Sequence, residues 1–156
     1  MGITLRPYRA NDLDAMHALD VVCFDKAFRF SRSAMRRFAE AKTARVVIAE
    51  DDHALVGFVI LDIEDTEDAR LGYIVTLDVS PTHRRMGLAG ELMQQAEREA
   101  SREGCAAIVL HVFTGNAPAI DFYVGRGFVR SHREEDFYGR GIDAWAFHRP
   151  LGSAEE

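Results

Sequence analysis

The stretch Leu77-Asp78-Val79-Ser80-Pro81-Thr82-His83-Arg84-Arg85-Met86-Gly87-Leu88-Ala89-Gly90 runs from an apolar strand through a Ser-Pro stop into a turn carrying two arginines. A helix then opens among small residues. The first amide N–H groups of a helix have no partner within it, and small residues let an anion approach them closely, so this turn suits a pyrophosphate. Arg84 and Arg85 would add charge-assisted contacts. The plainer alternative is a basic loop capping an ordinary helix. No Gly-Lys-Ser/Thr follows, so the turn is not a P-loop, and the Gly-x-Gly-x-x-Gly spacing of a dinucleotide fold is absent.

Downstream, Leu88, Leu92, Ala96 and Ala100 recur on one face, which predicts a helix over 87–103 with Gly104 as its left-handed stop. An apolar strand is expected over 107–113. Asn116-Ala117-Pro118 opens a further helix that closes at Gly125-Arg126-Gly127. The last strands are expected over 128–133 and 144–148. Upstream, 71–79 reads as a strand ended by Ser80-Pro81. The β-rich runs 44–50 and 55–63 flank a four-residue hairpin turn, Asp51-Asp52-His53-Ala54. The acidic run 62–68 reads as a solvated loop. Near the start, Ile3-Thr4-Leu5-Arg6 alternates as an edge strand, and Asn11-Asp12-Leu13-Asp14 opens a helix through Leu19. An aromatic-rich loop follows over 21–31, then a helix over 33–41. The order β-α-α-β-β-β-α-β-α-β-β predicts a single α/β domain, a mixed central sheet flanked by helices.

Composition narrows the function classes. The 156 residues are 47% hydrophobic and 28% charged, the balance of an ordinary globular domain. Nineteen Lys and Arg against 25 Asp and Glu give a net charge of -6, which opposes general nucleic-acid or anionic-membrane binding. Cys23 and Cys105 have neither disulfide-framework nor zinc spacing and are expected as reduced thiols in a cytoplasmic protein. The N-terminus has no signal-peptide core and lacks the myristoylation pattern, and the longest apolar run, over 54–61, is too short to span a bilayer. His17, His53, His83, His132 and His148 form no ligand spacing, so no metal is expected.

Arg84-x-x-Gly87-x-Ala89 after a strand resembles the acetyl-CoA signature of the GNAT acetyltransferases. Leu110-His111-Val112 and Asn116-x-x-Ala119-x-x-Phe122-Tyr123-x-x-x-Gly127-Phe128 extend the likeness, followed by Phe137-Tyr138, Asp143-Ala144 and a closing strand to Leu151. The sequence resembles the protein N-terminal branch of that superfamily, both RimI-like ribosomal-protein acetyltransferases and, through Tyr73-Ile74-x-Thr76-Leu77, the NatE-type catalytic subunit. The likeness implies a GNAT domain over 1–151, with 152–156 a frayed tail. It also implies direct transfer of acetyl from acetyl-CoA, as cosubstrate, to the α-amino group of a protein or peptide N-terminus. Ribosomal proteins are among the acceptors it suggests, and the chain would act as a monomer or homodimer.

Carried over by position, the backbone of Leu77, Asp78 and Val79 would pair with the pantetheine arm. Arg84, Arg85, Met86, Gly87, Leu88, Ala89 and Gly90 would hold the pyrophosphate, and Asn116 would contact the cofactor beyond it. Tyr123 matches the general acid for the departing thiolate and lies against the cofactor. His111 and Tyr73 match the pair that removes the amine proton through ordered water. Phe24 and Tyr138 match positions that wall the peptide. Each has a structural alternative: His111 sharing a core face with Val109 and Phe113, Tyr73 packing on the side of Val75 and Leu77, Tyr123 as a core tyrosine, the aromatics as plugs.

Three positions depart from the relatives. RimI-like enzymes carry Glu where His111 stands, Phe137 replaces one of two paired tyrosines, and Asp25 follows Phe24 in place of a proline. At this level a lysine or small-molecule amine remains an alternative acceptor, and a non-catalytic acyl-CoA-binding module remains an alternative to an enzyme.

An α-amino group has a pKa of about 7.7–8.0, so neutralising it near pH 7 costs about 1 kcal/mol, whereas an ordinary lysine at about 10.4 costs roughly 4–5 kcal/mol. A histidine base is therefore adequate for an N-terminus and weak for an unperturbed lysine.

Overall fold

In a computed structural model that describes residues 2–152, Leu88, Leu92, Met93, Ala96 and Ala100 are all buried, as their three- and four-residue spacing demands. They lie on α3, Leu88–Arg102, which begins at Gly87 and is followed by Gly104 at φ +81°. The helix packs across a seven-stranded sheet of order β1-β2-β3-β4-β5-β7-β6. In chain order the strands are β1 Ile3–Pro7, β2 Ala44–Asp51, β3 Ala54–Asp65, β4 Arg70–Val79, β5 Ala107–Phe113, β6 Val129–Gly139 and β7 Ile142–Pro150. The other helices are α1 Leu13–Cys23, α2 Arg32–Ala39 and α4 Ala117–Gly125. Among the described residues only β4 and β5 pair in parallel, so the expected mixed sheet flanked by helices is what forms.

The two faces of the sheet carry separate apolar clusters. On the α3 side, Val59, Leu61, Ile74, Ile108, Leu110 and Phe147 meet the helix stripe. On the other, Met16 and Met35 of α1 and α2 meet Ile48, Phe58 and Ile60. Each fully buried aliphatic side chain contributes about 1.5–3 kcal/mol. At Gly72 the helix comes down onto the sheet: a Cβ there would lie 2.9 Å from Leu61 Cδ1 and 3.3 Å from Ala100 Cβ.

Several boundaries differ from the sequence expectations. The first helix is preceded by a 3-10 turn, Ala10–Asp12, and continues past Leu19 to Cys23, so the aromatic loop begins later. Asp20, buried in the last turn, accepts the Phe30 amide at 2.8 Å and so organises that loop. The first hairpin turns in two residues rather than four, because Asp52 and His53 both take positive φ, which suits the twist of the strands. The acidic run is strand to Asp65, not loop, since Asp62, Glu64 and Asp65 pair with β4. The last two strands are longer than expected and form one hairpin. Of the tail expected to fray, 153–156 lies outside the described residues. No helix among those described is long and apolar enough to cross a membrane.

Candidate active site

The parallel pair β4 and β5 is joined only from Leu71 to Tyr73 on one strand and from Ala107 to Val109 on the other. Beyond it the strands part, and one backbone edge of β4 over 74–79 has no strand partner, while the opposite edge stays paired to β3 through Leu77, Asp78 and Val79. An unpaired strand edge offers amide donors and carbonyl acceptors to an extended ligand. The expected pantetheine contacts lie on this edge. The Val79 carbonyl is engaged, accepting from Cys23 Sγ at 3.3 Å and from Arg84 Nε at 3.2 Å.

A bulge re-aims the side chains of β4. Ile60 pairs with Thr76 and Leu61 with Ile74, so Val75 is the extra residue. Val75 packs on the α1–α2 side and Leu77 on the α3 side. The expectation that Tyr73, Val75 and Leu77 share a face is thereby corrected for Leu77.

Tyr73 and His111 meet where the strands part, hydroxyl to Nδ1 at 2.7 Å. The other ring nitrogen, Nε2, contacts Glu134 Oε2 of β6. The Phe137 ring stacks on the imidazole with centroids 4.0 Å apart and 14° between planes. Burial, with the charges of Tyr138, Glu64 and Glu134, pushes the Tyr73 phenol well above its ordinary pKa, so it is protonated at neutral pH. Neither Glu134 nor the Phe137 stack is legible from strand periodicity, because residues 135–138 bulge out opposite the single residue Asp143. Asp136 at φ +57° and Gly139 at φ +140° shape the bulge. Asp143 holds it, accepting from the Asp136 amide at 2.9 Å and pairing with Arg133 at 2.7 Å.

The bulge also carries Tyr138, which meets Phe28 edge-on at 4.9 Å; Phe28 in turn lies 5.0 Å from Phe113. Burial pushes Tyr138 up to about 12. Phe24 caps the end of α1 with extended backbone, its carbonyl accepting from Arg29 Nε at 2.7 Å. Phe28, from the same loop, is thus the aromatic that reaches Tyr138. Its position depends on how the loop folds back, for which the sequence carries no periodic signal.

Tyr123 projects from α4 into the buried interior, with Phe122 and Phe128 edge-on at 5.1 and 5.5 Å. Burial raises its phenol well above the usual range, and Asp78 and Tyr138 lie near enough for their charges to raise it further. Asn116 caps this helix, its Oδ1 accepting the Ala119 amide at 3.2 Å. That leaves the carboxamide nitrogen as the group to reach a ligand.

The loop before α3 takes left-handed conformations at Arg85, φ +65°, and Gly87, φ +80°. No side chain caps the helix at Gly87. Its first amides therefore remain available, Arg84, Arg85 and Met86 are exposed beside them, and a Cβ on Gly87 would meet nothing within 4 Å. Successive amides in such a turn form a concave anion site. Leu88 points into the core, so its contribution is limited to its backbone, while Ala89 and Gly90 are half-buried. His83 ties the loop to the β2–β3 hairpin through Asp51 at 2.8 Å.

Asp20 of α1 and Asp78 of β4 are both fully buried and face one another within hydrogen-bonding range. Asp78 Oδ1 accepts from Thr76 Oγ1 at 2.5 Å, while Asp20 Oδ1 and Asp78 Oδ2 have no donor. Two buried acceptors in contact require a proton between them. Burial, then the hydrogen bond and charge of Asp20, raise Asp78 far above the ordinary carboxyl range.

The acetyltransferase (GNAT) family model matches residues 13–128. N-alpha-acetyltransferase daf-31 of Caenorhabditis elegans is 30% identical over 159 residues, covering 99% of this chain and 86% of that protein. The structure of Arabidopsis thaliana NAA60 in complex with a bisubstrate analogue superposes with a TM-score of 0.84 at 25% identity, covering 98% of this chain and all of that one. The ribosomal-protein-S18-alanine N-acetyltransferase of Escherichia coli shares the fold, with a TM-score of 0.83 at 22% identity and coverage of 98% and 96%. Spanned over most of its length by that family model, and alignable from end to end with a nematode acetyltransferase, the chain belongs to the GNAT acetyltransferase family.

Proposed function

We propose that the protein transfers an acetyl group from acetyl-CoA directly to the α-amino group of a protein or peptide N-terminus. The observation that carries this reading is the Tyr73–His111 pair, set at the parting of β4 and β5 beside an unpaired strand edge. Acetyl-CoA supplies the acetyl group as a thioester. The edge of β4 at Leu77, Asp78 and Val79, without a strand partner and engaged only at the Val79 carbonyl, suits its pantetheine amides. The uncapped start of α3, from Arg84 to Gly90, suits its pyrophosphate, with the Asn116 carboxamide beyond.

In this reading an N-terminal ammonium loses its proton to the Tyr73–His111 pair, directly or through ordered water. Tyr73 is the poorer base alone, since its phenol stays protonated; it serves by passing a proton to His111. Tyr123, kept protonated by burial, delivers a proton to the departing thiolate and is replenished by the second N–H proton that the newly acylated nitrogen sheds. Tyr138, Phe28 and Phe137 wall the acceptor side, and Phe24 begins the loop that carries Phe28. Names of relatives support the acceptor: daf-31 is an N-alpha-acetyltransferase, and the Escherichia coli fold relative acts on a ribosomal-protein alanine, so ribosomal proteins belong among the acceptors to test. The domain spans 1–151. Two free thiols, Cys23 and Cys105, favour the reducing cytoplasm.

The test offers acetyl-CoA with two peptide sets, one with free N-termini, one with blocked N-termini and an internal lysine, and reads acetylation by mass spectrometry. Modification of the free N-termini alone is expected. Modification of the blocked set makes the protein a lysine enzyme. Modification of neither, with acetyl-CoA bound, removes peptide acceptors from its function.

A further inference from the structure

His111 is held on three sides: Tyr73 at Nδ1, Glu134 at Nε2 and the Phe137 ring on its face. A neutral imidazole carries one proton, on either nitrogen. An ionised carboxylate only accepts, so Nε2 must carry that proton and donate it to Glu134. Nδ1 is then a bare lone pair, and the Tyr73 hydroxyl donates to it. In the opposite tautomer Nδ1 would donate to the Tyr73 oxygen and could take no proton from it.

We infer that Glu134 is a positioning residue for proton removal from the acceptor amine: it holds His111 in the tautomer whose bare Nδ1 faces Tyr73, and it stabilises the imidazolium that forms. The inference rests on the reading proposed above. The proton balance is complete within these groups. The acceptor ammonium gives a proton to the Tyr73 oxygen as the Tyr73 proton passes to His111 Nδ1. The products are a neutral amine, a neutral phenol and an imidazolium beside the Glu134 carboxylate, and the imidazolium later releases its proton to solvent. A histidine whose far nitrogen is engaged by a carboxylate is oriented and tautomerically defined by that bond.

Other charged groups face this set without displacing Glu134. His132 Nε2 stands 3.9 Å from the same Glu134 oxygen, and the charges of Glu64 and Tyr138 act on Tyr73. Glu134 lies at the second bulge of the β6–β7 hairpin, paired with Ala144. The device therefore depends on the strand order β5-β7-β6, which brings β6 within reach of a β5 side chain across β7.

The test uses 15N-labelled full-length protein and long-range proton–nitrogen correlation spectra of the histidine rings at pH 8, with His111→Gln identifying the His111 signals. Wild type is expected as the Nε2–H tautomer. Glu134→Gln keeps it, because the carboxamide oxygen still accepts; Glu134→Ala gives a mixture of tautomers. With a free N-terminal peptide, Glu134→Ala should lose roughly 10- to 100-fold in kcat with KM for acetyl-CoA unchanged, a share of the roughly 10²–10⁴-fold that positioned proton transfer supplies. Glu134→Gln should fall between, tautomer kept and charge lost. A single Nε2–H tautomer in Glu134→Ala overturns the inference, as does a mixed tautomer with unchanged kcat. A wild-type protein that acetylates no free N-terminus instead overturns the proposed function, and the spectra still decide whether Glu134 sets the tautomer.

Discussion

The Tyr73 hydroxyl lies 2.7 Å from His111 Nδ1 although the two residues stand on neighbouring strands that have just stopped pairing. The last parallel partners are Tyr73 and Val109, two residues short of His111, so the hydrogen bond lies at the closed end of the gap that opens between β4 and β5 toward Val79 and Phe113.

Tyr73→Phe removes the hydroxyl and keeps the ring. Turnover with a free N-terminal peptide should fall by about 10²-fold, the lower end of the usual general acid–base contribution. Acetyl-CoA affinity, followed by calorimetry, should change little. A comparable loss in both would mean that Tyr73 shapes the cofactor cleft rather than the proton path.

Tyr123→Phe should lower kcat far more than it weakens acetyl-CoA binding. Because burial raises its phenol above the ordinary value of 10.0, Tyr123 stays protonated through the alkaline range, and kcat should not decline on its account below pH 10. Turnover surviving within a few-fold in the variant would exclude Tyr123 as the acid.

Asp78→Asn tests the buried carboxyl pair. The native state holds a proton on Asp78 that the unfolded chain releases above its ordinary pKa of 3.8, so the native protein binds more protons and loses stability as pH rises from that value. The carboxamide removes the titration and can donate to Asp20. The melting temperature of the variant relative to wild type should therefore be higher at pH 7.5 than at pH 4.5. An equal difference at both pH values would mean that Asp78 holds no extra proton.

Gly87→Ala separates backbone strain from contact. At φ +80° with open space around its Cβ, the alanine costs left-handed strain of about 1–2 kcal/mol and no clash. Thermal denaturation should register a drop of a few degrees. Acetyl-CoA affinity should fall as the loop relaxes away from its amide-presenting form; unchanged affinity would place the pyrophosphate elsewhere.

Residues close in sequence account for what could be read without a structure. Leu88, Leu92, Ala96 and Ala100 repeat at helical spacing, Gly104 stops the helix and Asn116 starts the next, because propensity and capping act within one or two turns. The order of elements and the α/β class follow from these local signals. The candidate anion-binding turn is equally local: a strand, two arginines and a helix opening at Gly87.

What the chain's local patterns did not hold was whatever depends on sheet order and on irregular backbone. The bulge at Val75 sends Leu77 to the face opposite Val75, and the bulge over 135–138 folds Phe137 and Tyr138 over the site. Alternation counts residues and has no means to register an extra one. Glu134 meets His111, and Asp20 meets Asp78, across 23 and 58 positions of sequence. The sequence by itself determined the helices, the candidate anion-binding turn and the candidate proton-transfer side chains. The tertiary structure alone decided which carboxylate stands behind the histidine and which two acids share a proton, since such contacts arise only when strands distant in sequence are laid side by side.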